Sequence, residues 1–370
     1  MSRTPPRVSV VMLAYGPEPW LADAVFAAYK SSNIEVEVVL VDNGCTSDAV
    51  ENLRGLPRLR VVRPEANTGY AGGCMLGAAE AAGDYLAFVN SDAVVAPDAL
   101  AKLAAAAAEP GVGLAMGSVR LADRPELVNT AGNPWHVAGL SWAGGNGEPA
   151  ARYAVRRRVP VGSGCCFVIR RDLFEAVGGF APEYFAYCED TDLSVRLWQR
   201  GLTVEYLPDA VVEHHYEFAR TDLKYYLVER NRLIVLLTTY QAGTLLLLAP
   251  VLALTELAML AAAIAGGWLR PKLRGWGWLW RNRRWIRQRR RALQTARTVG
   301  DRALARLMTA RFDPRNIEAP PGVWVYNVLV SAWWGLVRGV LPDRPLRTEL
   351  RPPEPAGSVG SGASSSSESR

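Results

Sequence analysis

The chain predicts an α/β domain with a mostly parallel sheet, followed by a helical region that meets a membrane. Three observations carry this. Strand-like and helix-like segments alternate through the first half, Leu233–Leu269 holds a single charged residue, Glu256, and a block of Lys and Arg follows directly. Buried β-branched runs separated by helical spacing build parallel strands covered by helices.

Val8–Ala14 is a continuous apolar, β-branched run and reads as the first strand; Pro17–Ser31 has helical spacing. Glu35–Val41 is strand-like and ends in the turn Asp42-Asn43-Gly44. Leu59–Val62 is a short strand, Ala71–Ala82 a helix of small residues, and Asp84–Val89 a strand ending in Asn90-Ser91-Asp92. Pro97–Glu109 is an Ala-rich helix opened by its proline. In such a sheet a ligand sits beyond the carboxyl ends of the strands. Tyr15, Asp42, Asn90 and Asp92 are therefore expected around one crevice. Residues 120–160, rich in Gly, Pro, Trp and Asn and carrying Arg156-Arg157-Arg158, read as loops and hairpins. Gly162–Arg171 gives a strand, Asp172–Val177 a short helix stopped by Gly178-Gly179, and Thr191–Arg200 an amphipathic helix stopped by Gly201.

As one helix, Leu233–Leu269 would be about 55 Å long, nearly twice a hydrocarbon core of about 30 Å. Pro250 divides it into two segments, each just able to cross. Arg270–Arg297 then carries eleven Lys and Arg and no acid, and a second apolar stretch, Val323–Leu341, is interrupted by Arg338. Eight of the twelve tryptophans fall between Trp268 and Trp334, as suits side chains at a membrane interface. A polybasic stretch beside a span stays cytoplasmic. Leu233–Leu269 is thus expected to cross twice or to dip in and return, bending near Pro250. The expected organisation is an α/β domain over 1–232, a membrane hairpin or paired spans over 233–269, and a basic amphipathic helical segment over 270–322. An apolar membrane-interacting helix over 323–341 and a disordered tail over 342–370 complete it.

Composition narrows the function. A chain of 370 residues that is 49% apolar and 21% charged is neither a disordered nor a fibrous protein. Residues 1–232 carry 22 basic and 28 acidic side chains, and residues 233–370 carry 20 and 8. The basic character therefore belongs to the C-terminal third, unlike a binder that is basic throughout. Five cysteines without a C-x-x-C pair argue against a disulfide framework or zinc knuckle and fit a reducing cytosol. The start, MSRTPPRVSVVMLAYG, is too briefly apolar for a signal peptide, so the N-terminal domain is expected in the cytoplasm.

Acids recur where a cation and a base would be needed. Asp92 follows a strand directly; a carboxylate there can hold Mg2+ or Mn2+ together with diphosphate oxygens, or simply cap a turn. Asp42 carries the same two readings. Asn67-Thr68-Gly69-Tyr70-Ala71-Gly72-Gly73 suits a close backbone approach at a helix start, without Rossmann or P-loop spacing. Glu189, Asp190 and Asp192, preceded by Tyr184-Phe185-Ala186-Tyr187, place three carboxylates in four residues, more than helix capping requires; one can serve as general base. His214-His215 ends a strand-like segment and suits a metal or phosphate role as well as a structural one.

Eight pieces in order, VSVVMLAYG, VVLVDNG, NTGYAGGCMLGA, YLAFVNSDAVV, GSGCCFVIRRDLFEAVGGF, YFAYCEDTDLSVRLWQRG, AVVEHH and VERNRL, cover residues 8–235. Together they resemble the inverting family-2 glycosyltransferases of the GT-A fold, in particular the bacterial, membrane-associated, rhamnosyltransferase-like branch. The resemblance implies that Asp42 contacts the donor nucleoside, with Tyr15, Asn67 and Gly69 lining the pocket. It implies that Asn90 and Asp92 occupy the DxD-type position, where Asp92 binds a Mg2+ or Mn2+ ion on the diphosphate and His214, or His215 in its place, stands near the metal or diphosphate. Here the motif reads NSDA, one Asp in place of two or three. Asp190 matches the catalytic base, while Glu189, Asp192 and Tyr187 support it or line the acceptor side. The QxxRW motif of processive synthases is absent, Gln199 being followed by Arg200-Gly201-Leu202-Thr203, which implies addition of one sugar.

The implied partners are a nucleotide-sugar donor, first dTDP-rhamnose and otherwise a UDP- or GDP-sugar, a polyprenyl-diphosphate-linked acceptor in cell-envelope assembly, and membrane lipids, but no nucleic acid. A sugar nucleotidyltransferase would need a basic residue near the first strand, and Ala14-Tyr15-Gly16-Pro17 has none. A non-catalytic membrane scaffold would leave the acids of the first domain without a role.

Overall fold

A computed structural model describes residues 5–216, 221–315 and 322–341. The expected tail over 342–370 lies outside the described residues. The strands are β1 (Arg7–Gly16), β2 (Glu35–Cys45), β3 (Leu59–Val62), β4 (Tyr85–Val89), β5 (Ala93–Val95), β6 (Val112–Leu121), β7 (Arg124–Thr130), β8 (Trp135–His136), β9 (Arg157–Arg158), β10 (Cys166–Arg170), β11 (Thr203–His214) and β12 (Met308–Thr309). The helices of the first domain are α1 (Leu21–Tyr29), α2 (Gly69–Ala79), α3 (Ala99–Ala107), α4 (Arg171–Ala176) and α5 (Glu189–Gln199). Then come α6 (Asp222–Thr239), α7 (Ala242–Ala265), α8 (Leu269–Arg281), α9 (Arg283–Ala296), the single turn α10 (Asp301–Leu304) and α11 (Val323–Val340).

The main sheet runs β3-β2-β1-β4-β10-β6-β11-β5. Its first four strands are parallel, as the apolar runs Val8–Ala14, Val38–Val41 and Tyr85–Val89 predict. β10 enters antiparallel between β4 and β6, and β6 pairs parallel with β11. Phe88, Phe167, Phe174 and Phe180 interlock beside the β4–β10 pair and anchor α4. Residues 120–160 carry, between their loops, β7, which forms a hairpin with the preceding β6, and the short β8 and β9.

The apolar run is divided elsewhere than at Pro250. Leu233–Thr239 forms the last turns of α6, inside the protein, and the chain breaks at Tyr240–Gln241. Side chains capture the free carbonyls there: Gln199 donates to Thr239 O, Gln294 to the Thr238 and Thr239 oxygens, and Arg297 to Thr239 O. Gln241 N–H donates to Asp301 Oδ2 at 2.7 Å and starts the next helix. Pro250 lies exposed inside the continuous α7, where a missing N–H forfeits one helical bond without a break. α7 alone among the described helices is long and apolar enough to cross a membrane.

Candidate active site

The carboxyl ends of β1, β2 and β4 open on one side of the sheet, and the register sets Ala14 opposite Asp42. Asp42 Oδ1 accepts from the Cys45 N–H at 3.0 Å, and Oδ2 accepts from Arg63 Nε at 2.9 Å. Burial alone would raise this carboxyl, but Arg63 and the turn N–H groups hold it below the ordinary range. Tyr15 stands exposed at the rim against Gly44. Its N–H donates to Glu18 at 2.7 Å, and the Glu18 carboxyl group lies near Ser91 and Asp92, which brings the end of β1 beside the Asn90-Ser91-Asp92 turn.

Asp92 and His214 meet because β11 pairs with β5, His214 opposite Ala93. His214 Nε2 lies 3.1 Å from Asp92 Oδ1, and its Nδ1 lies 3.1 Å from Asn129 Oδ1. An imidazole nitrogen and a carboxylate oxygen thus converge where β5 and β11 meet, with Asn129 orienting the ring from its far side. His215 is placed differently: its ring stacks on Trp20 at 3.6 Å, and its N–H donates to the Asp92 carbonyl. No cluster of three metal-ligating side chains occurs among the described residues. A carboxylate and an imidazole nevertheless suit a hard divalent ion that completes its shell with diphosphate and water.

Asp190 opens α5. Its Oδ2 accepts from Gly164 N–H at 3.0 Å and its Oδ1 from Thr191 N–H at 2.6 Å. The next residue, Cys165, accepts from Asn90 N–H at 2.9 Å, so one short segment ties Asp190 to the end of β4. Gly69, held at φ +71° beside the Phe185 carbonyl where a Cβ would collide, brings the Asn67 loop to the other flank. Asn67 Oδ1 accepts from Asn43 and from Gly69 N–H at 2.8 Å each, so Asn67 shapes this loop.

The segment before Asp190 is strained: Phe185, Tyr187 and Cys188 all have positive φ, about 1–3 kcal/mol each for non-glycine residues. Asn231 holds it, its amide donating to the carbonyls of Tyr184, Ala186 and Tyr187 at 2.9, 2.8 and 2.7 Å. Arg230 adds bonds to the Glu183 and Tyr184 carbonyls. Asp192 is turned away from the crevice. It is buried against Tyr184 (2.9 Å), Arg196 (2.8 Å) and Arg289 of α9 (2.6 Å), and its role is to fasten α5.

Burial raises the Asp190 carboxyl above its ordinary value. Glu189, buried with Oε2 unpartnered, is pushed up from 4.5 to about 8, by burial first and by the charge of Asp190 second. The adjacent carboxyls titrate as a pair. A folded state that keeps a proton the unfolded chain releases loses stability as pH rises from about 4.5 through about 8. Tm measured across that interval is expected to fall with pH, and Glu189→Gln, which cannot ionise, is expected to flatten the fall. An unchanged slope in the variant would contradict the assignment.

Strand register and the chain of contacts Asn43–Asn67–Gly69, Tyr70–Gly164–Asp190, Cys165–Asn90 and Asp92–His214 thus gather Tyr15, Asp42, Asn67, Gly69, Asn90, Asp92, His214, Glu189 and Asp190 at one end of the sheet, with Tyr187 exposed at its edge, while Asp192 lies in the core. Glu18, Asn129, Arg230, Asn231 and Arg289 were not singled out from the sequence. VERN was visible as a motif, but the carbonyls that its Arg230 and Asn231 hold lie more than 40 residues away.

The model of glycosyl transferase family 2 matches residues 9–178, and that of the N-terminal domain of galactosyltransferase matches residues 150–220. N-acetylglucosaminyl-diphospho-decaprenol L-rhamnosyltransferase of Mycobacterium tuberculosis (strain CDC 1551 / Oshkosh) is 31% identical over 242 residues, 56% of this chain and 75% of the relative. An N-acetylglucosaminyltransferase of Sinorhizobium fredii (strain NBRC 101917 / NGR234) is 26% identical over 225 residues, 57% of this chain and 53% of the relative. In fold, the chain is similar to the crystal structure of GalNAc-T7 with UDP, GalNAc and Mn2+, with a TM-score of 0.54 and 18% identity. That match covers 64% of this chain and 48% of the other.

Proposed function

From the premise that this chain belongs to glycosyltransferase family 2, and is therefore a glycosyltransferase, we propose that it moves one rhamnose from dTDP-rhamnose to a polyprenyl-diphosphate-linked glycan, inverting the anomeric centre at the cytoplasmic face of a membrane. One observation carries the reading. The half-buried Asp190 carboxyl group and the Asp92–His214 pair flank one mouth, joined through Gly164, Cys165 and Asn90. The identity to an enzyme named for rhamnosyl transfer to a decaprenol-linked sugar supports the transferred sugar and the class of acceptor.

An acceptor hydroxyl is a poor nucleophile at neutral pH. Asp190, raised by burial yet held in place by the Gly164 and Thr191 N–H groups, takes its proton as the hydroxyl attacks opposite the leaving group. Asp42 and Tyr15 line the donor side and orient the nucleoside, and Asn67 fixes the flanking loop. Asp92 and His214 would hold Mg2+ or Mn2+, which supplies positive charge for the departing nucleoside diphosphate. The left-handed backbone at Tyr187 and Cys188, locked by Asn231, presents Asp190 without reorganisation during the reaction.

Thermal shift tests the donor site. At a nucleotide concentration about a hundredfold above Kd, stabilisation is about 2.7 kcal/mol, a rise of several degrees in Tm. The expected order in the presence of Mn2+ is dTDP above UDP and GDP. A larger shift with UDP or GDP would replace the donor, and no shift with any of them would remove the donor-site reading.

A further inference from the structure

We propose that α7 lies in the plane of a membrane instead of crossing it, and that α7, α11 and the arginine faces of α8 and α9 form one platform seated on a single leaflet of anionic lipid. This deepens the membrane-face reading above and can be tested apart from catalysis.

α7 buries Thr244, Leu248, Val251, Thr255 and Ala263 at helical spacing from its first turn to its last. Protein therefore covers one side of the helix along its whole length of about 36 Å. The other side presents Leu246, Leu257 and Ile264, each more than 60% exposed. The middle of α7 is tethered: Glu256 is paired with Arg232 and with Lys272 at 3.2 Å, and it accepts from Trp276 Nε1 at 3.1 Å. Arg232 and Lys272 also share Glu229, and Arg232 donates to the Ala138 carbonyl of the catalytic domain at 3.1 Å. A crossing α7 would draw this cluster, and the catalytic domain whose Ala138 carbonyl Arg232 holds, to bilayer depth, where a water-facing domain surface cannot follow.

α11 runs antiparallel along α7, with Tyr326 Oη 2.9 Å from Thr255 Oγ1 and Trp333 Nε1 donating to the Leu247 carbonyl at 2.8 Å. It buries Val330, Trp334 and Val337 and turns Trp324, Val328, Leu329, Leu336 and Val340 outward. Apolar stripes on two adjoining helices make a surface larger than scattered exposed side chains, and such surfaces mark contacts. The flank identifies the partner. Arg270, Arg274, Arg281, Arg283, Arg284, Arg287 and Arg291 are exposed on α8 and α9, with no acid between 270 and 297. Two copies meeting through this surface would repel, whereas anionic headgroups attract it and the apolar faces sink into the acyl boundary. Trp276 and Trp280, both exposed on α8, suit that depth.

The platform also reaches the catalytic mouth. Trp268, between α7 and α8, stacks on Tyr225 at 4.8 Å, and the neighbouring Lys224 lies 5.5 Å from the Tyr187 ring, three residues before Asp190. A lipid-linked acceptor standing in the leaflet would thus meet the enzyme beside its base.

The test uses the full chain and flotation with vesicles of phosphatidylcholine alone or with roughly one-third phosphatidylglycerol. Binding is expected with the anionic vesicles and is expected to weaken at high salt. Leu329→Glu combined with Leu336→Glu is expected to lower it at least tenfold, with Tm and transfer to a water-soluble acceptor analogue unchanged. Fluorophores on Ala242→Cys and on Ala265→Cys, read above the parent chain's background, are both expected to be quenched by a membrane-impermeant quencher added outside. Quenching at one end only would show a crossing and overturn the proposal. So would binding indifferent to charge and to the double variant, or a stable dimer that the double variant dissociates. Vesicle binding without any glycosyl transfer would instead remove the enzymatic reading and leave the platform standing.

Discussion

Asp190→Asn is expected to lower the rate of sugar transfer by about 10²–10⁴-fold, the usual worth of a positioned general base. The amide cannot take the acceptor's proton, while its oxygen can still accept from Thr191 N–H. The NH2 group would then face Gly164 N–H, a loss of one hydrogen bond worth about 1 kcal/mol. Tm should therefore change little, and nucleotide binding and vesicle binding should be retained. Transfer rate, Tm and nucleotide-induced shift, measured on one preparation, check all three. A variant that transfers at the parental rate would show that the base lies elsewhere. A variant that loses fold and activity together would be settled by Asp190→Glu, which restores a carboxylate and should recover part of the rate.

The second large effect falls on stability. Asp192 is 1% exposed and accepts from Tyr184, Arg196 and Arg289. Burial works against its charge, but Arg196 and Arg289 hold the carboxyl below its ordinary value, so it is ionised throughout the neutral range. Asp192→Ala leaves two buried guanidinium groups without their anion. Breaking a buried pair from one side costs about 3–5 kcal/mol, a fall in Tm on the order of 10 °C. Arg196 also donates to the carbonyls of Val177 and Gly179, and Arg289 joins α9 to the catalytic domain. The loss should thus loosen both the α4–α5 connection and the basic helix. Chemical denaturation and Tm measure it; a Tm equal to the parent's would mean that Asp192 carries no such load.

The parallel half of the sheet was legible because its signals are local. A buried strand declares itself as a β-branched run, and its carboxyl end as the polar turn that follows; Asp42 and Asn90-Ser91-Asp92 were found in that way. β11 was read only as Ala210–Val212, since Glu205, Pro208 and Asp209 interrupt its pattern and its pairing with β6 shifts register between Leu207 and Val211. α6 hid its buried face behind Glu229, Arg230, Asn231 and Arg232. Charged and amide residues read as solvent-facing until partners from loops and distant helices appear. Two adjacent histidines were indistinguishable in sequence. β11 ends at His214, whose ring meets Asp92, and the next residue, His215, turns its ring onto Trp20.

The amino-acid order determined by itself which residues end strands, which segments are too apolar for ordinary surface and which block is cationic, because each depends on near neighbours in the chain. Only the tertiary structure decided that Asp192 braces the core, that the apolar run breaks at Tyr240–Gln241 and that Glu256 is anchored to the catalytic domain. Those outcomes depend on hydrogen-bond and charge partners brought together from distant parts of the chain, and burial gives such partners their energetic weight.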